Sequence, residues 1–168
     1  MYAIIIEMRD IILIAHNIRS THNVGAFLRT ADGFGVGKII FTGYTPYPTI
    51  DGDTRLPHFA DKLTRQIHKT ALGAELMVPF EYIEEPPLTE LKAQGYTIVG
   101  LEQDERSVLL PDYTVPQKVA LLLGNEIDGI YPELREQCDA LIEIPMQGGK
   151  ESFNVSVATG IALYHLSI

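Results

Sequence analysis

The chain of 168 residues has a net charge of −9, with 46% hydrophobic and 21% charged residues, a composition typical of one compact globular domain. Its single cysteine, Cys138, excludes an internal disulfide. Charged residues interrupt the apolar runs of residues 1–16, so neither a signal peptide nor a membrane span is predicted. We expect a cytoplasmic protein with a single domain over residues 1–168.

Six short apolar runs have the length and the Val, Ile and Leu content of strands that are buried on both faces. In chain order they are IILIA (11–15), KIIFTG (38–43), MVPFEY (77–82), YTIVGL (96–101), VALLLG (119–124) and ALIEIP (140–145). Helical spacing between them predicts two inner helix faces, one with Val24, Phe27, Leu28 and Ala31 and one with Leu63, Ile67 and Ala71. This alternation predicts an α/β domain with a mainly parallel sheet flanked by helices.

Two further segments complete the predicted order of elements. Residues 42–57 contain three prolines and two glycines, which predicts a long surface loop of the kind that often carries function. Residues 152–165 are predicted to form the last helix, with Ser152 as its N-cap. One stripe of this helix carries Phe153, Val157, Ile161 and Tyr164.

Two glycine-rich stretches resemble phosphate-binding loops only in composition. Residues 33–38 (GFGVGK) follow a helical pattern and precede a strand, so they predict the end of a helix rather than a dinucleotide site. Residues 148–150 lack the upstream glycine of a Walker loop, and Glu151 stands where that loop needs Ser or Thr. These stretches give little support to a nucleotide-dependent oxidoreductase or an NTPase.

Polar residues gather after the first predicted strand, at the end where open α/β sheets bind ligands. Asn23 and Arg29 are expected to border one cleft if the helix that carries them begins near Asn23. Two other predicted strands end in turns that contain glycine or proline. Gly124 is expected to let a ligand approach the backbone, and the loop that contains Pro145 leaves backbone groups free to bind a neutral group such as adenine.

Three of these segments resemble the signature motifs of the SpoU (TrmH-like) branch of the SPOUT RNA methyltransferases, in the order of that family. They are Asn23-Val24-Gly25-Ala26 with Arg29-Thr30-Ala31-Asp32, then Gly124-Asn125-Glu126, then Ile144-Pro145-Met146 with Ser152-Phe153-Asn154-Val155-Ser156. Residues 69–74 resemble a weaker family stretch. The chain departs from the family at Phe153, where leucine is commoner, and we expect no separate N-terminal RNA-binding extension.

The resemblance implies an α/β fold with a deep trefoil knot, which spacing alone would never predict. It also implies a homodimer with the active site near the subunit interface, and S-adenosyl-L-methionine (SAM) held in a bent form by the loops around Gly124 and Ile144. The implied activity is methyl transfer to a ribose 2′-hydroxyl of tRNA or rRNA. The alternative is a non-catalytic RNA-binding or ribosome-assembly protein of the same fold, which the intact polar residues disfavour.

The resemblance assigns catalytic roles to five polar side chains. Since guanidinium stays protonated, Arg29 is expected to clamp a phosphate and stabilise the developing alkoxide rather than to remove the hydroxyl proton. Asn23 and Asn154 would orient Arg29 and the ribose, and Ser152 would bond the cofactor or the start of the helix. Glu126 either organises its turn or acts as a general base.

The predicted cofactor contacts lie at strand ends, and backbone groups are expected to matter more than side chains. They are Leu101, Gly124, Ile144, Met146 and Ser152. No metal site is predicted, because His16 and His22 lack a partner cluster. Cys138 is predicted to be a half-buried small residue rather than a nucleophile.

The charge distribution indicates which half of the chain would contact RNA. Residues 1–75 carry eight Lys/Arg and seven Asp/Glu, whereas residues 76–168 carry five Lys/Arg and fifteen Asp/Glu. Because phosphate binding depends on Lys and Arg, RNA is predicted to lie along the first half. The predicted RNA contacts are Arg19 and three residues on one face of a helix that begins near Asp61, namely Lys62, Arg65 and Lys69.

Overall fold

The computed structural model describes residues 8–168, so the expectations that concern residues 1–7 lie outside the described residues. Its strands are β1 (Asp10–His16), β2 (Lys38–Thr42), β3 (Phe80–Ile83), β4 (Thr97–Leu101), β5 (Val108–Leu109), β6 (Lys118–Leu123) and β7 (Ala140–Glu143). Its α-helices are α1 (Thr21–Phe34), α2 (Pro57–Ala71), α3 (Leu88–Ala93), α4 (Pro132–Arg135) and α5 (Val155–Ser167). Two short 3-10 helices cover Ala74–Leu76 and Leu110–Asp112.

The strands form one sheet in the order β3-β2-β1-β6-β4-β7-β5, and every pairing between these strands is parallel. The predicted α/β class with a mainly parallel sheet is therefore confirmed, and all six apolar runs contribute strands. β5 was not predicted. It pairs only two residues with Ile142 and Glu143 at the edge of the sheet, and two residues leave no readable periodicity.

β1 shows how the sheet separates two apolar layers. Ile11, Leu13 and Ala15 belong to the layer that includes most of the buried apolar residues of α1, α2 and α5. Ile12 and Ile14 belong to the layer that includes the buried residues of α3. Because successive side chains of a strand point to opposite faces, a sheet covered on both faces reads as a continuous apolar run.

The two helices of the first half differ in how well the sequence defines them. The predicted inner face of α1 is fully buried, and Gly35 ends the helix in the left-handed conformation (φ 65°), so residues 33–38 are a helix end. The prediction that α2 begins near Asp61 is wrong, because it begins at Pro57. Proline fits the first turn of a helix, where its missing N–H has no helical partner to lose. No helix or strand interrupts the loop of residues 43–56, as predicted.

The prediction of Ser152 as the N-cap of α5 is wrong. Asn154 caps this helix, since its side-chain oxygen accepts a hydrogen bond from the backbone N–H of Ser156 at 2.9 Å. The core side of α5 is formed by Thr159, Ala162, Leu163 and Leu166. Of the stripe predicted from the sequence, Val157, Ile161 and Tyr164 lie on the outer side of α5, and Phe153 lies just before its N-cap. All four residues are 37–58% exposed. We call these four residues the α5 stripe. Among residues 8–168, no helix is long and apolar enough to cross a membrane.

Candidate functional site

A cavity of about 580 Å³ opens at the carboxyl ends of β4, β6 and β7, a size typical of sites for small molecules. All five predicted cofactor contacts line it: Leu101, Gly124, Ile144, Met146 and Ser152. The turn after β6 and the loop after β7 meet at this cavity although β4 lies between those two strands in the sheet.

A chain of side-chain hydrogen bonds joins three distant segments beside this cavity. The amide of Asn23 in α1 donates to the carboxylate of Glu126 at 3.0 Å. The amide of Asn154, at the start of α5, donates to the side-chain oxygen of Asn23 at 3.4 Å. Glu126 and Asn154 line the cavity, and Asn23, which is 8% exposed, lies behind them. Ser152 lines the same cavity, so the structure brings together four of the five predicted catalytic residues.

The carboxylate of Glu126 serves mainly as a hydrogen-bond acceptor for the start of α1. It accepts from the backbone N–H groups of Arg19 at 3.0 Å and Ser20 at 3.2 Å, in addition to the amide of Asn23. Burial by itself raises the pKa of Glu126, but these hydrogen bonds outweigh it and hold the pKa below the ordinary value. A carboxylate with a lowered pKa and several N–H partners is suited to organising a turn rather than to removing a proton.

Gly124 is required by the turn itself. Asn125 and Gly129 exchange backbone hydrogen bonds of 3.0 and 2.9 Å, which folds the turn back against the end of β6. A Cβ atom at Gly124 would lie 2.2 Å from the backbone carbon of Gly129. Gly124 lines the cavity, and the space where its side chain would stand is filled by the backbone of Gly129 and Ile130.

Glu102 and Gln103, just after β4, are cavity residues that the sequence motifs do not include. The carboxylate of Glu102 accepts a hydrogen bond of 2.6 Å from the backbone N–H of Ile130, so it fixes the far end of the same turn. The amide of Gln103 donates to the backbone carbonyl of Glu151 at 2.8 Å and holds the loop before α5. The rule that placed Asn23 at a strand end applies equally to these residues.

Arg29 does not reach this cavity within its own chain. Its side chain is exposed on α1, and no ion pair to it is present within residues 8–168. Six residues along a helix place Arg29 about 120° around the axis from Asn23. The expectation that both side chains border one cleft of the same chain is therefore wrong.

The predicted RNA contacts lie on a different part of the surface. Lys62, Arg65 and Lys69 are all exposed on α2, and we call them the basic face. The side chain of Arg19 is exposed beside α1, while its backbone N–H is held by Glu126.

His16 is a possible metal ligand and Cys138 a possible nucleophile, but both occupy ordinary structural positions. His16 is buried and pairs through its two ring nitrogens with Thr42 at 2.8 Å and Asn17 at 2.9 Å. Burial lowers its pKa, although the carboxylate of Glu85 partly opposes this. No group of three or more metal-binding side chains is present in the described part of the chain. Burial raises the pKa of Cys138 to about 11, so its thiol stays protonated at neutral pH.

Comparison with known proteins gives one consistent family. The profile described as the SpoU rRNA Methylase family matches residues 10–164. The chain is 36% identical over 156 residues to the 23S rRNA (guanosine-2′-O-)-methyltransferase RlmB of Nitrosomonas europaea, covering 92% of this chain and 54% of that protein. It is 34% identical over 160 residues to the tRNA (guanosine(18)-2′-O)-methyltransferase of Aquifex aeolicus, covering 94% of this chain and 69% of that protein.

Solved structures show the same fold. The TrmH/SpoU tRNA modifying enzyme of A. aeolicus matches with a TM-score of 0.76 and 31% identity, over 94% of this chain and 74% of that one. An AdoMet-bound rRNA methyltransferase from Sinorhizobium meliloti matches with a TM-score of 0.75 and 26% identity, over 94% of this chain and 55% of that one. The chain thus spans about half the length of several of the proteins it matches.

Proposed function

Because the chain belongs to the SpoU rRNA methylase family, we propose that it transfers the methyl group of SAM to a ribose 2′-hydroxyl of tRNA or rRNA. One observation carries this proposal. All five predicted cofactor contacts line the same cavity, and that cavity lies beside the hydrogen bonds that join Glu126, Asn23 and Asn154. Two curated relatives are named for guanosine, so guanosine is the acceptor we propose to test first. The compartment we propose is the cytoplasm.

The lining of the cavity fits SAM. Leu101, Ile144 and Met146 offer apolar surface for an adenine ring, and the neighbouring loops offer backbone donors and acceptors for its edge. Acidic side chains on the same lining, Asp128 and Glu151, complement a ligand that carries a sulfonium and an ammonium group. When bound, SAM supplies the activated methyl group.

The polar residues then act on the ribose. Asn23 and Asn154 form a fixed amide pair beside the cavity, suited to orienting the hydroxyl in line with the methyl group. Arg29 is permanently protonated, so it holds a phosphate and stabilises the negative charge that develops as the hydroxyl proton is lost. Glu126 keeps Asn23 and the start of α1 in place and is a positioning residue.

The exposure of Arg29 supports a homodimer whose active site is shared. The α5 stripe is an apolar surface of a helix that packs against α1, with Gly160 of α5 lying close to the side chain of Thr30. A two-fold interface through this stripe buries it and brings the Arg29 of one subunit toward the cavity of the other. Such an arrangement explains why Arg29 has no place in its own cavity.

The dimer is tested with Ile161→Asp, which places a charge in the α5 stripe, against Leu76→Asp, which changes a leucine that is 85% exposed elsewhere. Analytical ultracentrifugation should find dimers for the wild type and for Leu76→Asp, and folded, inactive monomers for Ile161→Asp. A wild-type protein that is active as a monomer would contradict the shared site.

We also propose that the chain is knotted, as the family resemblance implies. The meeting of the turn after β6 with the loop after β7 across β4 supports this threading. The basic face is our proposed docking surface for RNA phosphates, and the excess of acidic residues in the second half of the chain supports it.

Isothermal titration calorimetry with SAM and, separately, with NAD tests the cofactor. We expect one SAM per subunit and no binding of NAD. Transfer of tritium from methyl-labelled SAM to RNA from cells that lack the gene tests the reaction. RNA binding without methyl transfer would favour a non-catalytic member of the fold.

A further inference from the structure

A second cavity, of about 600 Å³, lies between the loop of residues 43–56, the start of α1 and α2. No step proposed for methyl transfer takes place in this cavity. Its lining includes Arg19, Tyr44, Pro46, Tyr47, Phe59 and Gln66. We call it the loop cleft. Its size is within the range of about 300–1,000 Å³ found for sites that hold small molecules.

The wall of the loop cleft is rigid because its own side chains are paired. The guanidinium of Arg55 lies 3.6 Å from the centre of the Tyr47 ring, and that ring stacks on Tyr82 at 4.3 Å. Arg55 also donates to the carboxylate of Asp53 at 2.9 Å and to the backbone carbonyl of Tyr47 at 3.0 Å. With its side chain only 15% exposed, Arg55 supports the wall and does not serve as an anion site.

The mouth of the loop cleft is aromatic. Tyr44 and Phe59 are 55% and 47% exposed, so both present aromatic surface to solvent at the cleft. Gln66, half-buried beside them, carries an amide that can donate and accept hydrogen bonds. Exposed rings next to a hydrogen-bonding amide are the features with which proteins hold an unstacked nucleobase.

Cations border the same cleft. The exposed side chain of Arg19 is part of its lining. On α2, at 100° per residue, Lys62 lies about 60° around the helix from Phe59, and Lys69 lies about 60° from Gln66 on the same side. The basic face therefore runs along the rim, where the phosphates of a strand would pass if one of its bases entered the cleft.

The loop cleft and the cofactor cavity share a wall. The backbone of Arg19, at the edge of the cleft, donates to Glu126, which lines the cavity. The side chain of Tyr44 hydrogen-bonds to that of Asn125, also on the cavity lining. A nucleotide in the cleft would thus have its ribose, or that of its neighbour, directed to the side where the methyl group is bound.

We propose that the loop cleft binds one base of the substrate RNA, unstacked from its neighbours and stacked on Phe59, with the flanking phosphates on Arg19 and the basic face. This proposal rests on the proposed function in one respect, because it takes the bound RNA to be the substrate of methylation. It adds a site that selects single-stranded or flipped nucleotides over paired ones, because a base inside a duplex cannot enter the cleft.

Photo-crosslinking to the wild-type protein tests where the RNA base binds. RNA containing 4-thiouridine and 6-thioguanosine, from cells that lack the gene, is irradiated with the protein, and the modified peptide is identified by mass spectrometry. We expect adducts within residues 43–66. Adducts confined to other parts of the chain would overturn the proposal, whether or not methyl transfer is observed.

The contribution of stacking to RNA binding is tested with Phe59→Ala. The matched control is Leu76→Ala, which also removes an exposed apolar side chain but lies outside the cleft. Phe59→Ala should raise the KM for RNA at least about fivefold, as expected for loss of one stacking contact, and leave the Kd for SAM unchanged. Leu76→Ala should behave as wild type. A wild-type KM in Phe59→Ala would overturn the proposal. Absence of methyl transfer by the wild type, with adducts in the cleft, would instead count against the proposed function alone.

Discussion

Replacing Glu126 by glutamine separates the two roles that its carboxylate can have. The side chains are the same size, so the substitution removes the charge and changes one acceptor oxygen into an NH₂ group. In the structure the carboxylate faces three N–H donors, those of Arg19, Ser20 and the Asn23 amide, at 3.0–3.2 Å. The NH₂ group of glutamine cannot accept from any of them, and its remaining oxygen is a neutral acceptor.

The energetic cost depends on these contacts. A hydrogen bond to a charged group contributes about 1.5–3 kcal/mol, and the exposure of Glu126 places its bonds at the lower end. Loss of one such bond and weakening of the others should destabilise the fold by about 2 kcal/mol. For a domain of this size that lowers Tm by roughly 4–8 °C. Methyl transfer should fall by less than about tenfold, because no proton passes through Glu126.

The pH dependence gives an independent check. The pKa of Glu126 is lowered in the folded protein, so its stabilisation is fully present above the unfolded pKa of about 4.3 and is lost as pH falls through the folded pKa. The stability difference between wild type and Glu126→Gln should therefore be full at pH 7 and shrink in acid. Urea unfolding at pH 7 and pH 4, followed by circular dichroism, measures it.

Glu105→Gln is the matched control, because Glu105 is an exposed carboxylate without a side-chain hydrogen bond or ion pair within residues 8–168. It should leave stability unchanged at both pH values. Wild-type stability of Glu126→Gln together with a loss of methyl transfer beyond about a hundredfold would refute this reasoning and identify Glu126 as a general base.

Three other predictions concern the remaining parts of the site. Arg29→Ala should lower methyl transfer at least about a hundredfold with unchanged Tm and SAM affinity, whereas loss of SAM binding would move Arg29 to the cofactor site. Gly124→Ala should lose both SAM binding and thermal stability, because the added Cβ meets the backbone of the turn. Loss of SAM binding at full stability would show instead that a ligand fills the space beside Gly124. Glutamine at all three positions of the basic face should reduce the salt dependence of RNA binding by up to about three units of slope and leave SAM affinity unchanged, and an unchanged slope would place RNA elsewhere.

The strands and the cofactor cavity could be predicted because both depend on local sequence features. A strand buried on both faces is a short Val, Ile and Leu run, as in β1 and β6, and a parallel sheet brings the residues after its strands together at one edge. Leu101, Gly124 and Ile144 each stand at or just after such a strand end. Glu102 stands beside them and was missed only because it lies outside the recognised motifs.

Other features depend on contacts between distant residues. α5 is apolar on two sides, so periodicity identified the α5 stripe but could not tell that α1 and the sheet cover the opposite side. Serine and asparagine cap helices about equally well, so residue type alone does not distinguish Ser152 from Asn154 as the N-cap. The crowding at Gly124 comes from a turn that folds back from Gly129, which spacing does not show.

The most direct test of the central proposal is to map 2′-O-methyl groups in the RNA that the purified protein has modified. RNA from cells that lack the gene is incubated with SAM and the wild-type protein, then hydrolysed in alkali, which leaves the linkage after a 2′-O-methylated ribose intact. We expect one new alkali-resistant dinucleotide, with its methyl group on the ribose, which is absent when the Arg29→Ala protein is used. Methyl groups found on a base, or no transfer to any RNA by a protein that binds SAM, would contradict the account.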